Sequence, residues 1–390
     1  MINFLKFTKN AVYVMLVLST LPLVAYAAPV VTGITGTVTH GTTVTVSGSG
    51  FGTKTTVPPL VWDNCSGTNV STLWDGYWPN VASNSTYNLA YRTPIRSVGL
   101  PHSHITKYMA GCHCESTGNN TGWNVMMWKD FSNIANGTIF YMSSYVRTDP
   151  SWNGSLGSPA DNNFKTFDYS ITGTPYTTTN GIDGQWYLAY GPPTDLASPQ
   201  WIVDATLPLP DQNGHNAWWG GGASSTAAWV KTEYEFKISS GNDGYAKVWD
   251  NGVLVINYLG PTDWYNAGWT STNNRNISLG GYARAYGATT QWRYWADIYL
   301  DNTPQRSVIC AGSSWGSRGR CEVQIPSAWS PSSITLIVNQ GAFADNSTAY
   351  LYVVDATGAA SPQRTITFGS SGSGGGGSST TPGTAVLHTN

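Results

Sequence analysis

The stretch that most constrains the fold runs from Trp229 to Tyr258 and reads WVKTEYEFKISSGNDGYAKVWDNGVLVINY. Over residues 229–238 apolar and charged residues alternate, which predicts a strand with one core face and one solvent-exposed face. The turn cluster SGNDG follows, and Asn251-Gly252 then supplies a two-residue hairpin turn, because both residues accept positive φ. The stretch therefore predicts three consecutive antiparallel strands and an all-β fold.

The first residues have the layout of a secretory signal peptide. Lys6 and Lys9 precede an apolar run over 11–24, and Ala25-Tyr26-Ala27 matches a small-x-small cleavage site. Pro22 and the shortness of the run argue against the alternative of an uncleaved anchor, which needs about 20 apolar residues. We expect cleavage near Ala27, a secreted or cell-surface protein, and no membrane span in the mature chain.

The low charge content of the chain narrows the classes of partner. Charged residues make up 10% of the sequence and the net charge is −2, where an average protein carries about 25% charged residues. Nucleic-acid binding requires clustered lysine and arginine, and the sequence has no basic block, so no nucleic-acid partner is expected. The 43 glycines and the recurring turn clusters favour an extracellular all-β protein with many short strands.

Five cysteines in an exported chain indicate disulfide bonds. Cys310 and Cys321 flank the turn-rich loop AGSSWGSRGR, and a bond between them would close a hairpin. Cys65 has two candidate partners, Cys112 and Cys114, and one thiol is left over in either case. The pairing of these three cysteines stays open at this stage.

Both ends of the chain carry pieces of one small module. Residues 29–54 hold a proline-led Val/Thr strand and the motif Gly48-Ser49-Gly50-Phe51-Gly52, and they resemble the first half of an IPT/TIG domain, an immunoglobulin-like fold. Residues 322–357 resemble its closing strands. The resemblance implies one split IPT/TIG-like β-sandwich, 28–60 plus 306–368, because a domain's termini often lie close together. The alternative is two unrelated β pieces that flank a central domain.

The intervening segment, 61–305, holds 16 of the 18 tryptophans and many short strands without helical periodicity. It resembles the concanavalin A-like lectin/glucanase superfamily in its 229–258 strands and in the closing run Ala296–Asp301. The resemblance implies a jelly-roll β-sandwich inserted into the immunoglobulin-like one. From Gly369 to Asn390 the Gly/Ser-rich composition predicts a flexible tail.

Carbohydrate recognition is the first functional hypothesis, because aromatic rings stack on sugar faces while nearby polar groups bind the hydroxyls. The alternative for each tryptophan is a place in the core. Trp218-Trp219 and Trp264-Tyr265 lie in turn-rich sequence, which favours exposure. The ligand-binding candidates are Trp74, Trp78, Trp218, Trp219, Trp264, Tyr265, Trp269 and Arg293.

Two catalytic alternatives follow from carboxyl and aromatic groups. Glu233 and Glu235 share one strand face at a spacing that a glycoside hydrolase would tolerate. The Glu-x-Asp-x-x-Glu motif of laminarinase-like members is not matched, and the preferred interpretation of the pair is a solvated strand face balanced by Lys231 and Lys237. Tyr282 and Arg284 would suit a polysaccharide lyase, as a base and a group that neutralises the uronate.

Carboxylates at the ends of the inserted segment suggest a structural ion. Asp63, Asp297 and Asp301 occupy the places where jelly rolls of this superfamily hold calcium, and oxygen ligands suit that cation. No other cofactor is expected. The sequence thus favours a secreted, non-catalytic, lectin-like protein that binds a polysaccharide or surface glycan. The alternatives are a structural or adhesive surface protein, with other cell-surface proteins as partners, and a polysaccharide lyase or glycoside hydrolase.

Overall fold

The computed structural model describes residues 28–78, 87–113, 120–132, 134–148, 165–172, 185–191, 200–205, 216–219, 228–262, 274–285 and 291–372. The described chain is built from strands, with single helical turns at Val70–Thr72 and Trp315–Ser317, and the all-β prediction is confirmed. None of the helices in this part of the chain has the length and apolar content needed to cross a bilayer. The predicted signal peptide lies outside the described residues.

The strands follow in chain order: β1 Val30–Thr37, β2 Thr43–Ser49, β3 Val61–Asp63, β4 Gly76–Trp78, β5 Ala90–Arg92, β6 Tyr108–His113, β7 Asn120–Phe131, β8 Ile139–Thr148, β9 Lys165–Thr172, β10 Gln185–Gly191, β11 Gln200–Ala205, β12 Asn216–Trp219, β13 Val230–Lys237, β14 Tyr245–Asp250, β15 Val253–Leu259, β16 Asn274–Ala285, β17 Gln291–Asp301, β18 Arg306–Cys310, β19 Cys321–Val323, β20 Ile325–Trp329, β21 Ser333–Ile337, β22 Thr348–Val354, β23 Arg364–Thr367 and β24 Ser371–Gly372.

Two antiparallel sheets pack face to face in a larger sandwich. The eight-stranded sheet has the order β15-β14-β13-β8-β17-β6-β5, with β3 on β17, and the seven-stranded sheet has the order β12-β11-β10-β9-β16-β7-β4. Phe167 of the second sheet stacks on Tyr234 of the first at 5.3 Å between ring centroids. The predicted hairpin turn is confirmed, because Asn251 and Gly252 both adopt positive φ, at 49° and 81°.

The two ends of the chain together form a smaller sandwich. β2 pairs with β1 on one side and with β21 on the other, so that Val46 faces Ile334, and a four-stranded sheet β19-β18-β22-β23 packs against this layer. Phe51 is fully buried in the shared core. Within the segment predicted as a flexible tail from Gly369, Ser371 and Gly372 pair with Thr37 and Gly36 of β1, and residues 373–390 lie outside the described part of the chain.

The charged face of β13 is buried, which corrects the prediction that it is solvated. Glu233 is 0% exposed and accepts a hydrogen bond from the Tyr141 hydroxyl at 2.8 Å. Arg318, on the loop after β18, brings its Nη2 to 3.3 Å from the same carboxylate. Arg306 Nη1 of β18 lies 3.2 Å from the carboxylate of Glu235. The alternating pattern was interpreted correctly as a strand, but the smaller sandwich covers its polar side.

Further charged groups tie the two sandwiches together. Glu322 of β19 is fully buried and accepts hydrogen bonds from the Tyr145 hydroxyl and from the Ala342 amide, the latter at 3.3 Å. Lys231 Nζ lies 3.4 Å from Glu322 and 4.6 Å from the centroid of the Tyr145 ring. We call this set of contacts between β8, β13 and β14 and the β18–β19 region the junction. Because its charges are buried as pairs, separating the sandwiches would leave several of them uncompensated.

The cysteines are partly as predicted. Cys310 and Cys321 form a disulfide bond, which confirms that pair and closes the loop that carries Arg318. Cys65 is a buried free thiol, so it pairs with neither of the two candidates that the sequence left open, Cys112 and Cys114. Cys112 is disulfide-bonded, and Cys114 lies outside the described residues. Cys65 instead donates to the Trp295 carbonyl at 3.6 Å inside the core, and burial raises the pKa of its thiol.

We predict that Arg318→Ala lowers the free energy of unfolding by about 3–5 kcal/mol, because it removes the cation from the buried Glu233. Lys237→Ala is the control, because Lys237 lies on the same strand as Glu233 but pairs with Asp243 at the surface. The side chains of Lys237 and Asp243 are 22% and 69% exposed. The control substitution should lower the free energy of unfolding by less than about 1 kcal/mol. Urea unfolding of both variants provides the measurement, and equal costs would contradict a junction held by buried charge.

Candidate functional site

Each sheet of the larger sandwich has one face in the core between the sheets, and the two sheets differ in the surroundings of the opposite face. The eight-stranded sheet turns its second face to the junction. In the seven-stranded sheet, Phe167 and Tyr169 of β9 and Ile277 and Leu279 of β16 are buried in the core between the sheets. Positions 168 and 278 therefore have the opposite parity and belong to the second face of this sheet, which we call the outer face.

The strand register aligns one residue from each of the seven strands in a single row across the outer face. The row consists of Gly76, Trp128, Ser278, Asp168, Tyr187, Asp204 and Asn216, each paired with the next. A neighbouring row consists of Asp130, Asn276, Ser170 and Gln185. At about 4.8 Å between strands, the first row spans about 29 Å. Aromatic, amide, hydroxyl and carboxyl residues thus occupy consecutive register positions across the width of the sheet.

Trp128 is the aromatic centre of the described part of this face. Its side chain is half-buried, and its ring lies against the backbone of Gly76 on the edge strand β4. A Cβ at position 76 would overlap that ring, so the glycine is what allows the indole to lie across the edge of the sheet. The neighbouring Ser278 is fully buried, and its hydroxyl has no hydrogen-bond partner in the described structure.

The end of β7 is held in place by Asp75. Its carboxylate accepts from the Asp130 amide at 2.8 Å and from Lys129 Nζ at 2.7 Å. The indole of Trp128 donates to the Asp130 carboxylate, which is otherwise exposed. Partial burial raises the pKa of Asp130 and repulsion from Asp75 adds to the rise, while the indole and Lys129 oppose it. Trp128 and Asp130 therefore form one fixed pair, two residues apart on the same face.

A β-bulge interrupts the centre of the seven-stranded sheet beside this site. The register between β16 and β7 shifts between Gly280 and Gly281, and the extra residue Val125 has φ 53°. Positive φ is an outlier for a β-branched residue, so the surrounding packing holds Val125 in a strained conformation. Arg293 of the facing sheet is 2% exposed, with Nη1 3.3 Å from where a Cβ of Gly280 would lie, and burial lowers the pKa of Arg293 to about 9.

The predicted ligand-binding residues have different fates. Arg293 lies between the two sheets, so the prediction that it contacts a ligand at the surface is wrong. Trp74 is 1% exposed and its indole donates to Asp63 at 3.0 Å, so Trp74 belongs to the core. Trp218 and Trp219 lie in β12, paired with Ile202 and Trp201, and not in a loop.

Of the remaining predicted aromatic residues, the structure describes the strand position of one. Trp78 ends β4 and pairs with Met126. Trp264, Tyr265 and Trp269 lie outside the described residues.

The predicted catalytic residues also separate. Glu233 and Glu235 are buried in the junction with arginine partners, so neither can reach a substrate and the glycosidase pair is a wrong prediction. Tyr282 and Arg284 lie in β16, where they pair with Trp123 and Thr121 of β7. Tyr282 is four residues from Ser278 on the same strand.

Each of the three aspartates predicted to bind calcium has a hydrogen-bonding or charged partner in the structure. Asp63 accepts from the Tyr91 hydroxyl at 2.7 Å in addition to Trp74, and Asp297 lies 2.7 Å from His102 Nε2. Asp301 pairs with Lys54 at 2.5 Å. Among the described residues, no three His, Cys, Asp or Glu side chains form a group that could hold a metal.

The candidate site residues that the sequence-based prediction did not include are Trp128, Asp130 and Asn276. Their signal was present in WNVMMWKDF, where Trp128 and Asp130 are two residues apart beside the alternating ISLGG of β16. The one-residue bulge at Val125 breaks the period-two pattern of β7. Without the strand register, the pairing of Trp128 with Ser278 could not be recognised.

Comparison with known proteins gives the following. No protein-family model matches the sequence, and no curated protein matches it. Among solved structures, an alginate lyase bound to an alginate trisaccharide is 14% identical, with a TM-score of 0.41, over 63% of this chain and 99% of that one.

Two further solved structures match at a similar level. An endo-β-1,4-glucuronan lyase from the fungus Trichoderma reesei is 14% identical, with a TM-score of 0.37, over 59% of this chain and 91% of that one. An exolytic alginate lyase from Zobellia galactanivorans is 9% identical, with a TM-score of 0.33, over 55% and 87%. At these values the comparisons bear on neither the activity nor the residues of this chain.

We predict that Asp130 titrates above the ordinary aspartate pKa of 3.8. Trp128→Phe should raise the pKa of Asp130 further, because it removes the indole donor that stabilises the charged carboxylate. A carboxyl-detected NMR titration measures both changes. Asp243 serves as the internal control, since its hydrogen bonds from Lys237 and Ser239 lower its pKa to about 2. A fall in the pKa of Asp130 in the variant would contradict the proposed contact.

Proposed function

We propose that this protein is an exported, non-catalytic glycan-binding protein, and that the outer face of the seven-stranded sheet is its binding surface. The observation that carries the proposal is the half-buried Trp128 beside the exposed Asp130 and the half-buried Asn276, within rows of polar and aromatic positions that cross the sheet. A surface that combines a ring with several hydrogen-bonding groups suits a sugar chain.

The chemistry of binding would divide between the ring and its polar neighbours. The indole face of Trp128 offers apolar contact to a pyranose ring, and its Nε1 is already engaged with Asp130. The Asp130 carboxylate and the Asn276 amide are available to hydroxyl groups, and hydrogen bonds to a charged acceptor are the stronger kind.

The smaller sandwich would serve as a rigid support for this surface. Its sheet joins β1 and β2 to β21 and β24, which supports the proposal of one split IPT/TIG-like module, 28–60 plus 306–368, around the inserted segment. The buried pairs of the junction would hold the two sandwiches in one orientation. In this arrangement the module is a spacer or a protein-contact surface at the cell exterior, and it leaves the outer face of the larger sandwich for the glycan.

A polysaccharide lyase is the second candidate, and the position of Tyr282 and Arg284 favours it. Both residues lie in β16, at even spacing from Ser278, beside Trp123 and Thr121 of β7. A tyrosine base and an arginine that neutralises a uronate carboxylate are the two groups that elimination needs. The two candidates share one surface and differ in whether the bound chain is cleaved.

We predict that the protein is retained on at least one polysaccharide of a broad panel, and that Trp128→Ala lowers that affinity by about 10-fold to 30-fold, as truncation of a central interface tryptophan does. Trp315→Ala is the matched control, because Trp315 is also half-buried but lies in the β18–β19 loop of the smaller sandwich. The Trp315→Ala variant should bind the polysaccharide with the same affinity as the wild-type protein. Affinity electrophoresis of the folded variants provides the measurement, and unchanged binding by Trp128→Ala contradicts the proposed site.

The same incubations separate binding from catalysis and from adhesion. Under the main proposal, retained polysaccharide shows no new chain ends. New unsaturated uronate ends that disappear in Tyr282→Phe would establish the lyase instead. If no glycan is retained, adhesion through protein contacts is the better account.

A further inference from the structure

Three histidines lie together where the smaller sandwich meets the loop between β5 and β6. His40 is in the turn between β1 and β2, and His102 and His104 are in that loop. The rings of His40 and His104 are stacked across the boundary, with centroids 4.4 Å apart and 16° between their planes. We propose that this histidine contact makes the association of the two sandwiches pH-sensitive, so that it is complete at neutral pH and weakens in mild acid.

Hydrogen bonds hold two of these imidazoles in the neutral form. The His104 amide donates to Nδ1 of His102 at 3.3 Å, so His102 carries its proton on Nε2, which lies 2.7 Å from the Asp297 carboxylate. The Gln340 amide donates to Nδ1 of His40 at 3.4 Å. A ring nitrogen that accepts a hydrogen bond is unprotonated. Adding a proton to Nδ1 of His40 would therefore replace this hydrogen bond with two opposed N–H groups.

The charged groups around the stacked pair favour its neutral form on balance. His40 faces His104, Asp297 and His102, and His104 faces His102, Asp345 and Asp297. Asp297 is already paired with His102, and Asp345 is exposed to water. Burial and the neighbouring imidazoles lower the pKa of both His40 and His104 below 6.5, and attraction to the two carboxylates opposes this effect without cancelling it.

The lowered pKa values determine how pH acts on the contact. In separated sandwiches the two imidazoles would be in water with a pKa of about 6.5, so the separated state binds more protons below that pH. The contact is therefore complete above about pH 6.5 and weakens as the pH falls through the lowered pKa values of His40 and His104. Two like unit charges 4.4 Å apart in water-like surroundings shift an equilibrium about fivefold, and half-burial increases the effect.

The histidine contact adjoins the junction, which connects it to the placement of the two sandwiches. The ring of His102 lies 5.5 Å from the ring of Tyr145, whose hydroxyl donates to the buried Glu322 of β19. Lys231 lies against the same ring and the same carboxylate. Burial raises the pKa of Tyr145, so this side chain stays neutral in acid and the histidines are the groups that respond.

An NMR titration of the full chain tests the titrating groups directly. We expect His40 and His104 both to titrate below 6.5. In His104→Gln the pKa of His40 should rise towards that value, because the substitution removes a like charge and keeps a polar side chain in its place. Titration of either histidine at or above 6.5 would overturn the proposal, as would an unchanged pKa of His40 in the variant.

Urea unfolding tests the consequence for the sandwiches. Between about pH 7.5 and about pH 5, the unfolding equilibrium constant of the wild-type protein should rise at least about fivefold more than that of His40→Gln/His104→Gln. Asp243→Asn is the control and should keep the wild-type response, because the pKa of Asp243 is about 2 and its charge does not change over this range. An equal response in the wild type and the double variant contradicts the proposal. If the double variant does not fold, the titration of the wild-type protein decides.

Discussion

Buried charge at the junction is the constraint on which the rest of this structure depends. Glu233, Glu235 and Glu322 are removed from water, and each is compensated across the contact between the two sandwiches. Breaking such a pair by removing one partner is strongly unfavourable, whereas the intact pair contributes little net stability but fixes geometry. The junction therefore specifies how the sandwiches are placed more than it adds to their stability.

That placement decides which surface is available for function. The eight-stranded sheet has one face in the core and the other against the smaller sandwich, so its carboxylates have a structural role. On the second face of the seven-stranded sheet, the strand register brings together Trp128, Asp130 and Asn276. The site is assembled across strands far apart in sequence, since Asp168 and Ser278 are neighbours in the register although 110 positions separate them.

The strands of this fold could be predicted from the sequence, whereas the burial of their faces could not. Alternation in residues 229–238 predicts β13 correctly, and Asn251-Gly252 predicts the turn after β14, because both signals are local. Which face of β13 meets solvent is not a local property, and it depended on Arg306 and Arg318, about 70 or more residues later. The disulfide between Cys310 and Cys321 was accessible because it closes a short loop, whereas the free Cys65 was not. Sequence analysis could not distinguish Trp74 from a ligand-binding tryptophan, because its place in the core depends on its hydrogen bond to the buried Asp63.

The central claim is that a glycan lies across the outer face of the seven-stranded sheet. A crystal structure of the full chain with an oligosaccharide selected from the polysaccharide panel tests it most directly. The account predicts a sugar ring against the indole of Trp128, with hydroxyl groups within hydrogen-bonding distance of Asn276 and Asp130. An oligosaccharide bound to the smaller sandwich, or to the loops around it, with the outer face empty, would contradict the account.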